Sequence, residues 1–373
     1  MSLPLYRHDP EPTLATEGNR GLWYNRFFNR YAADWTIPDT GKTQWVSENA
    51  GIIGPREVLQ TQALRQLALI TALGGHGTVF ETDWHFATGL GLPHPVENGL
   101  TWHHTLGVPY LAGSGVKGLV RAWVEVWDES LNAEERKRRL IDWFGTTEQA
   151  GRFRFFDALP VEPVTLAADV MTPHMGKWYE EGGKIGEPCQ EPYRRIPADW
   201  HAPVPVPFLV AQKAKLLVGI APRRPEFAGE LPQVFAALKQ ALDWLGAGAK
   251  TAAGYGRMVE NSSAAADLRE KAEQAKEREG DRGRSPQQRA LRALQRRFET
   301  DRERGVKEAG GELIGQTNQW LREGLAWPAP EREALAALAE TIFGYVGWGN
   351  NAKKRERKEK IAALRASTTS VSG

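Results

Sequence analysis

The chain has 373 residues, 41% of them hydrophobic and 25% charged, the composition of a soluble globular protein with room for one large domain or two ordinary ones. It contains no apolar run of 18 residues, no apolar segment in MSLPLYRHDPEP at the start and one cysteine, Cys189; no membrane span, signal peptide, disulfide framework or cysteine-based zinc site is expected, and a cytoplasmic location is. Residues 261–373 carry 22 Lys+Arg against 17 Asp+Glu while residues 1–260 carry 26 against 29, which excludes binding of nucleic acid by bulk charge and leaves a few placed cations and backbone N–H groups to do it.

In chain order, GLWYNRFFNRYAADW (21–35) is dense in aromatics and arginine. It reads either as a helix docked by its aromatic face or as an RNA-contacting segment. Thr78–Phe86, TVFETDWHF, alternates apolar and polar residues and predicts a strand. After a Gly/Pro-rich loop, WHHTLGVPYL reads as extended. Val116, Leu119, Val120, Trp123, Val124 and Trp127 then fall on one apolar stripe of a helix.

A charged helix over Ala133–Phe144 and a strand over Arg152–Phe156 follow. Residues 158–207 are Pro-rich and weakly periodic, the pattern of a functional insertion. Phe208–Ile220, FLVAQKAKLLVGI, reads as one strand. Val234, Phe235, Leu238, Ala241, Leu242 and Leu245 mark a second amphipathic helix ending at Gly246, and RMVE is a short strand. The order across 78–260 is βαββαβ, that of an α+β, RRM-like or ferredoxin-like core with an antiparallel sheet.

Residues 261–290 alternate in charge and read as a solvated helix or linker. Helical stripes at Leu291, Leu294, Phe298 and at Leu335, Leu338, Ile342 predict a helical C-terminal appendage. The division expected is 1–60, an aromatic and arginine-rich segment packing on the core; 61–260, the core with insertion 158–207; and 261–373, the charged linker and helices.

Two glycine-rich loops flank the core helices. LAGSGVKGLVR (111–121) places Gly113, Ser114 and Gly115 at a helix start, with Lys117 and Arg121 one turn apart. Free N–H groups there, with the positive end of the helix dipole, make an anion site. GAGAKTAAGYGRM (246–258) offers Gly248, Lys250, Thr251, Gly254, Tyr255 and Arg257: mobile backbone, cations, a hydroxyl and an aromatic for stacking. The plainer reading of each loop is a tight turn or helix cap.

Neither loop is a Walker motif. Ala249 precedes Lys250-Thr251, that loop follows a helix, and Lys117 is followed by Gly118. None of the eight histidines forms H-x-x-x-H or H-E-x-x-H, so no metal site and no cofactor is expected. His103 and His104 are adjacent, and one could serve as general acid–base in RNA cleavage.

GLGLPHPVENGLTWHHTLGVPYLAGSGVKGLVRAW (89–123) resembles the signature block of the RAMP superfamily of CRISPR proteins, and GAGAKTAAGYGRM resembles its Gly-rich C-terminal loop. DVMTPHMGKWY (169–179) and FGYVGWGNNAKKRERKEKIAALR (343–365) are similar to blocks of the sixth subunit of type III-B Cmr effector complexes. That resemblance implies a ribonucleoprotein of antiviral defence in which this subunit is not catalytic. It implies contact with CRISPR guide RNA near its 3′ end and with target RNA through the guide–target duplex. It implies a place capping the backbone filament, with the backbone RAMP, the small helical subunit and the first Cmr subunit as partners.

Carried over by motif, the guide contacts would be Gly113, Ser114, Lys117, Arg121, Gly248, Lys250, Thr251, Gly254, Tyr255 and Arg257. The family's base-displacing thumb would lie in 158–207, with Met171, His174 and Met175 as candidates. The alternative is a RAMP endoribonuclease that processes guide RNA with a histidine base.

Overall fold

The stretch read from the sequence as one strand, Thr78–Phe86, is two strands in two different sheets, and that break organises the first part of the molecule. The computed structural model describes residues 13–16, 18–181, 197, 201–308 and 310–366. It divides into two compact units, Met1–Glu273 and Gln274–Gly373.

In the first unit, α1 (Arg20–Arg26) and α2 (Asp39–Glu48) precede β1 (Gly51–Ile53) and α3 (Arg56–Ala72). Then come β2 (His76–Thr82), β3 (His85–Phe86) and α4 (Gly113–Ala122), which a π-helical turn extends to Trp127. Helix α5 (Ala133–Arg139) is extended in the same way to Phe144, and β4 (Phe153–Phe155), β5 (Leu159–Pro160), β6 (Val164–Met171) and α6 (Gly176–Glu181) follow. The unit closes with β7 (Val206–Gln212), β8 (Lys215–Pro222), α7 (Leu231–Trp244), β9 (Met258–Glu260) and the start of α8 (Ser262–Gly280).

One sheet has the order β4-β8-β2-β9, with β5 also paired to β8; the other has the order β1-β6-β7-β3. Every pairing is antiparallel. The first sheet is threaded β2, α4, β4, β8, α7, β9, so its two central strands, β2 and β8, are the first and third of the six elements' strands. The apolar stripes of α4 and α7 bury Val116, Val120, Val234, Leu238 and Leu242 in one core with Phe80, Leu216 and Val218 of the sheet.

The chain changes sheet twice at one place. Between β2 and β3, and again between β7 and β8, it leaves one ladder for the other. Thr82 N–H donates to Ala214 O at 3.0 Å, and Ala214 N–H donates to Thr82 Oγ1 at 2.9 Å. Lys213 makes the second turn with φ of +47°, a left-handed conformation uncommon outside glycine. FLVAQKAKLLVGI is therefore two strands. Both strands are buried nearly throughout, so the alternation that would have revealed a break is absent.

Two other expectations change. Residues 158–207 open with regular structure: β6 pairs with β7 from Thr165 to Met171. Its apolar residues are buried only at Val164 and Leu166, which hides the period. The rest of that insertion, 182–196 and 198–200 with Cys189, lies outside the described residues, as does the first stretch, 1–12. In 21–35 only the first residues are helical, capped by Asn19, whose side chain accepts from Leu22 N–H at 2.9 Å. Its aromatics pack: Tyr24 is fully buried, stacked at 4.3 Å on His94, and Phe28 meets Trp45 edge-on at 5.4 Å. WHHTLGVPYL is a turn closed by a bridge between Trp102 and Pro109.

The second unit is helical: the end of α8, then α9 (Pro286–Glu303), α10 (Glu312–Glu323), α11 (Ala329–Val346) and α12 (Asn351–Ala366). Ser285 and Gln288 form a reciprocal capping box at the start of α9, satisfying two otherwise unpaired donors. Leu294, Phe298, Leu335, Ile342, Phe343 and Leu364 form its core. The basic C-terminal stretch is a docked helix, since α12 buries Ile361 and Leu364. Among the described residues no helix is long and apolar enough to cross a membrane.

Candidate functional site

The first glycine loop is built by close approach. A Cβ on Gly113 would lie 2.4 Å from Phe155 O, so only glycine fits. Its N–H donates to Asp157 Oδ1 at 2.6 Å, and the N–H groups of Gly115 and Val116 donate to Ala112 O. The start of α4 is thus already capped by a carboxylate from the β4–β5 link, and Gly113 has no free donor for a phosphate. Ser114 is exposed beside it. Lys117 has no ion-pair partner among the described residues, while Arg121 pairs with Glu125 at 3.4 Å.

The second loop runs through successive left-handed positions: Gly246, Gly248, Lys250, Gly254 and Gly256 have φ between +57° and +91°. It is stitched to the β3 edge by Gly256 N–H to His85 O and Ala249 N–H to Ala87 O, each 2.7 Å. A Cβ on Gly256 would sit 1.8 Å from Ala247 O and one on Gly248 2.2 Å from Ala87 O. Gly254, by contrast, faces open space. The glycines here serve packing and backbone handedness.

The two loops meet a third, Thr88–Gly91, around an open groove of about 620 Å³. Its polar side chains are the hydroxyls of Thr88, Thr101, Ser114 and Thr251; Gly89, Gly115, Gly246 and Gly248 expose backbone to it, and none of its lining residues is charged. Of the residues expected at an RNA site, Ser114, Gly248 and Thr251 line it. Gly113, Lys117, Arg121, Lys250, Gly254, Tyr255 and Arg257 do not.

Two of those residues are engaged elsewhere in the structure. Tyr255 is 5% exposed, so its ring offers no face for a base. Arg257 is held by Asp243 at 2.7 Å and Asp83 at 3.3 Å, and the Asp243 bond raises its pKa. Its charge is engaged within the protein. Lys250 places its ammonium 5.6 Å from the Phe208 ring and 5.7 Å from the Tyr255 ring, in cation–π contact, with no ion-pair partner among the described residues. Of the thumb candidates, Met171 packs against the cluster formed by Ala87, Phe208, Val210 and Tyr255, His174 is exposed and Met175 half-buried just before α6.

Beneath the second loop lies a network that the sequence did not disclose. Tyr255 OH donates to Asp169 Oδ2 at 2.5 Å. His85 Nδ1 meets the same oxygen at 2.9 Å, and Gln212 meets His85 Nε2 at 2.9 Å. With Gln212 donating, the imidazole proton sits on Nδ1 and donates to Asp169. Burial acts to raise the Asp169 carboxyl, but the bonds from Tyr255, Val170 N–H and His85 outweigh it and hold it below the usual range. Burial and Asp169 push the Tyr255 phenol up to about 12. Trp84 stacks on His85 at 4.4 Å and 14° and touches Tyr255 at 4.9 Å; it remains 50% exposed.

A smaller cavity, about 230 Å³, is lined by residues that include Asn25, Arg26, Trp102, His103 and His104. Burial lowers the His103 pKa, and its Nδ1 accepts from Leu106 N–H at 3.3 Å. Among the described residues no group of three or more His, Cys, Asp or Glu could hold a metal ion.

Residues 79–259 match the family model for the RAMP superfamily. The Cmr6 subunit of the CRISPR system Cmr from Pyrococcus furiosus is 29% identical over 48% of this chain and 66% of its own length. The Cmr6 subunit from Saccharolobus solfataricus is 31% identical over 25% of this chain and 31% of its own. The chain therefore spans just under two thirds, and under one third, of these relatives. A chain in the cryo-EM structure of the type III-B Cmr-beta complex bound to cognate target RNA aligns over 60% of this chain and 71% of its own, with 20% identity and a TM-score of 0.43, a likeness too partial to carry an argument.

Proposed function

We propose, from the match of residues 79–259 to the RAMP superfamily model, that the chain is a RAMP superfamily protein serving as a non-catalytic, RNA-contacting subunit of a type III-B Cmr complex, in the position of Cmr6. The observation that carries this reading is the groove shared by the three loops. An uncharged trough of hydroxyls, glycine backbone and apolar side chains such as Leu90, Leu111 and Leu119, with Lys117 on the flank of α4 and Lys250 in the loop that forms one wall, suits a phosphodiester chain. No lining residue is a bidentate side chain of the kind that reads base edges, as a subunit that must accept any guide requires.

On this reading β2-α4-β4-β8-α7-β9 is a ferredoxin-like, RRM-like core, and the insertion 158–207 carries the thumb. The core is 61–260 and the helical appendage 261–373. The subunit contacts guide RNA near its 3′ end and the guide–target duplex, caps the backbone filament in the cytoplasm, and meets the backbone RAMP, the small helical subunit and the first Cmr subunit.

The competing reading is an endoribonuclease with His103 or His104 as base; His103 Nδ1 already accepts from Leu106 N–H at 3.3 Å, and His85 and His94 use both ring nitrogens in internal hydrogen bonds. A metal-independent cleavage assay on repeat RNA separates the two: no cleavage is expected. The primary test is a tagged pull-down from the native host with sequencing of bound RNA. Short RNAs sharing a repeat-derived 5′ tag, together with other Cmr subunits, are expected; recovery of the protein alone would refute the assignment.

A further inference from the structure

Trp84 is half exposed, yet its inner face rests on the most constrained side chain nearby. The His85 ring it stacks on cannot turn, since Nδ1 is bonded to Asp169 and Nε2 to Gln212. Asp169 is in turn fixed by Tyr255, whose ring also touches Trp84. The sheet crossing beside it is already closed by the two Thr82–Ala214 hydrogen bonds, so the crossing itself does not need this pedestal. A rigid indole with one face free is what stacking on a ligand ring requires, because no side-chain entropy is left to lose.

We propose that the outer face of Trp84 is a stacking platform for an unpaired base of bound RNA, with His85, Asp169, Gln212 and Tyr255 as positioning residues beneath it. The inference rests on the RNA-binding reading above and deepens it. Charge selects the occupant. Lys250 and Trp84 contact the same Tyr255 ring, and Lys250 has no ion-pair partner among the described residues. Its neighbours Ala249 and Thr251 line the groove. Lys250 and Trp84, each against the Tyr255 ring of the loop that walls the groove, would offer a bound strand a cation for a phosphate and an aromatic face for a base. Stacking accepts any base, since each has a π-face, which matches the absence of base-reading side chains in the groove.

The test uses the full chain and a single-stranded RNA carrying 5-iodouridine, irradiated and mapped by mass spectrometry, with affinities for W84F and W84L. A crosslink at Trp84 is expected. W84F should bind within about twofold of the parent and W84L about tenfold more weakly, as expected for loss of one stacked base. The slope of affinity against salt should stay the same in both, since no phosphate contact is removed. A tryptophan that only covers His85 would tolerate leucine as well as phenylalanine. If RNA binds but crosslinks only at groove residues, and W84L matches W84F, the platform is wrong and the RNA-binding reading stands. If the parent chain binds no RNA, both fall.

Discussion

Tyr255 and Asp169 share a 2.5 Å hydrogen bond between the second glycine loop and the middle of β6, so the loop is tied to the neighbouring sheet through a charged group. Removing the hydroxyl in Y255F leaves the ring in place and the carboxylate short of a donor. Bonds to charged groups contribute about 1.5–3 kcal/mol, and a loss of that order is expected in urea unfolding at pH 7. The pH dependence follows from the signs. Asp169 is depressed when folded, so its contribution is present above about pH 4 and is lost as pH falls through the lowered value. Tyr255 is raised to about 12, so its contribution is present below about pH 10 and is lost as pH rises through about 12. Y255F should remove Tyr255's share of the alkaline loss, leaving that of the buried Tyr24, whose phenol is also raised, and narrow the acid one.

His94 is a second pH-sensitive element. Its Nε2 lies 2.9 Å from Tyr24 O and its Nδ1 accepts from Val96 N–H at 3.2 Å. A second proton would set two donors against each other, and burial already lowers the pKa. Stability should therefore fall as pH drops below about 6.5, the unfolded value, until the lowered folded value is passed. Unfolding midpoints between pH 7 and 5 should show this slope, flattened in H94Q.

Glycines in the two loops should respond oppositely to alanine. Gly118, in the middle of α4, has no atom within 4 Å of an added Cβ, and G118A should stabilise by about 0.5–1 kcal/mol through helix propensity. Gly256, at φ of +73° with Ala247 O 1.8 Å from the Cβ position, should lose about 3 kcal/mol or more in G256A. Thermal melts of the two variants give the comparison directly.

Lys117 and Arg257 separate electrostatic roles. Lys117 lacks an ion-pair partner among the described residues, so K117A should weaken RNA binding uniformly across sequences and lower the salt slope by about one. The Arg257 guanidinium is already shared by Asp243 and Asp83, so R257A should leave both affinity and slope near those of the parent. Filter binding over a salt series measures both.

The amphipathic helices α4 and α7 were legible because each buries one continuous stripe against a sheet. The strands were not, where both faces are covered: the alternating TVFETDWHF and the largely apolar FLVAQKAKLLVGI each hide a change of sheet that their pattern does not mark. The glycine loops were visible as composition. Which of their side chains face the groove was not, because Arg257 is claimed by Asp83, 174 residues away. Likewise His85 and Tyr255 meet on Asp169 across 84 and 86 residues, separations to which no local spacing points.

The shared crossing also dictates an order of assembly on the ribosome. Strands β1, β2, β3, β4, β5 and β6 are all synthesised before Val206, yet of their pairings only β1 with β6 joins two strands already made; the others wait for β7, β8 or β9. Until Val206–Pro222 emerges, the nascent chain carries open the core shared by Phe80, Phe86 and Phe153, which lack the ladders that bury them. When that segment arrives it zips into both sheets through adjacent turns of one backbone, so the two sheets close together late in translation. Slowing the ribosome ahead of Val206 would prolong exposure of aggregation-prone strands, whereas slowing it after Pro222 would give the sheets time to close.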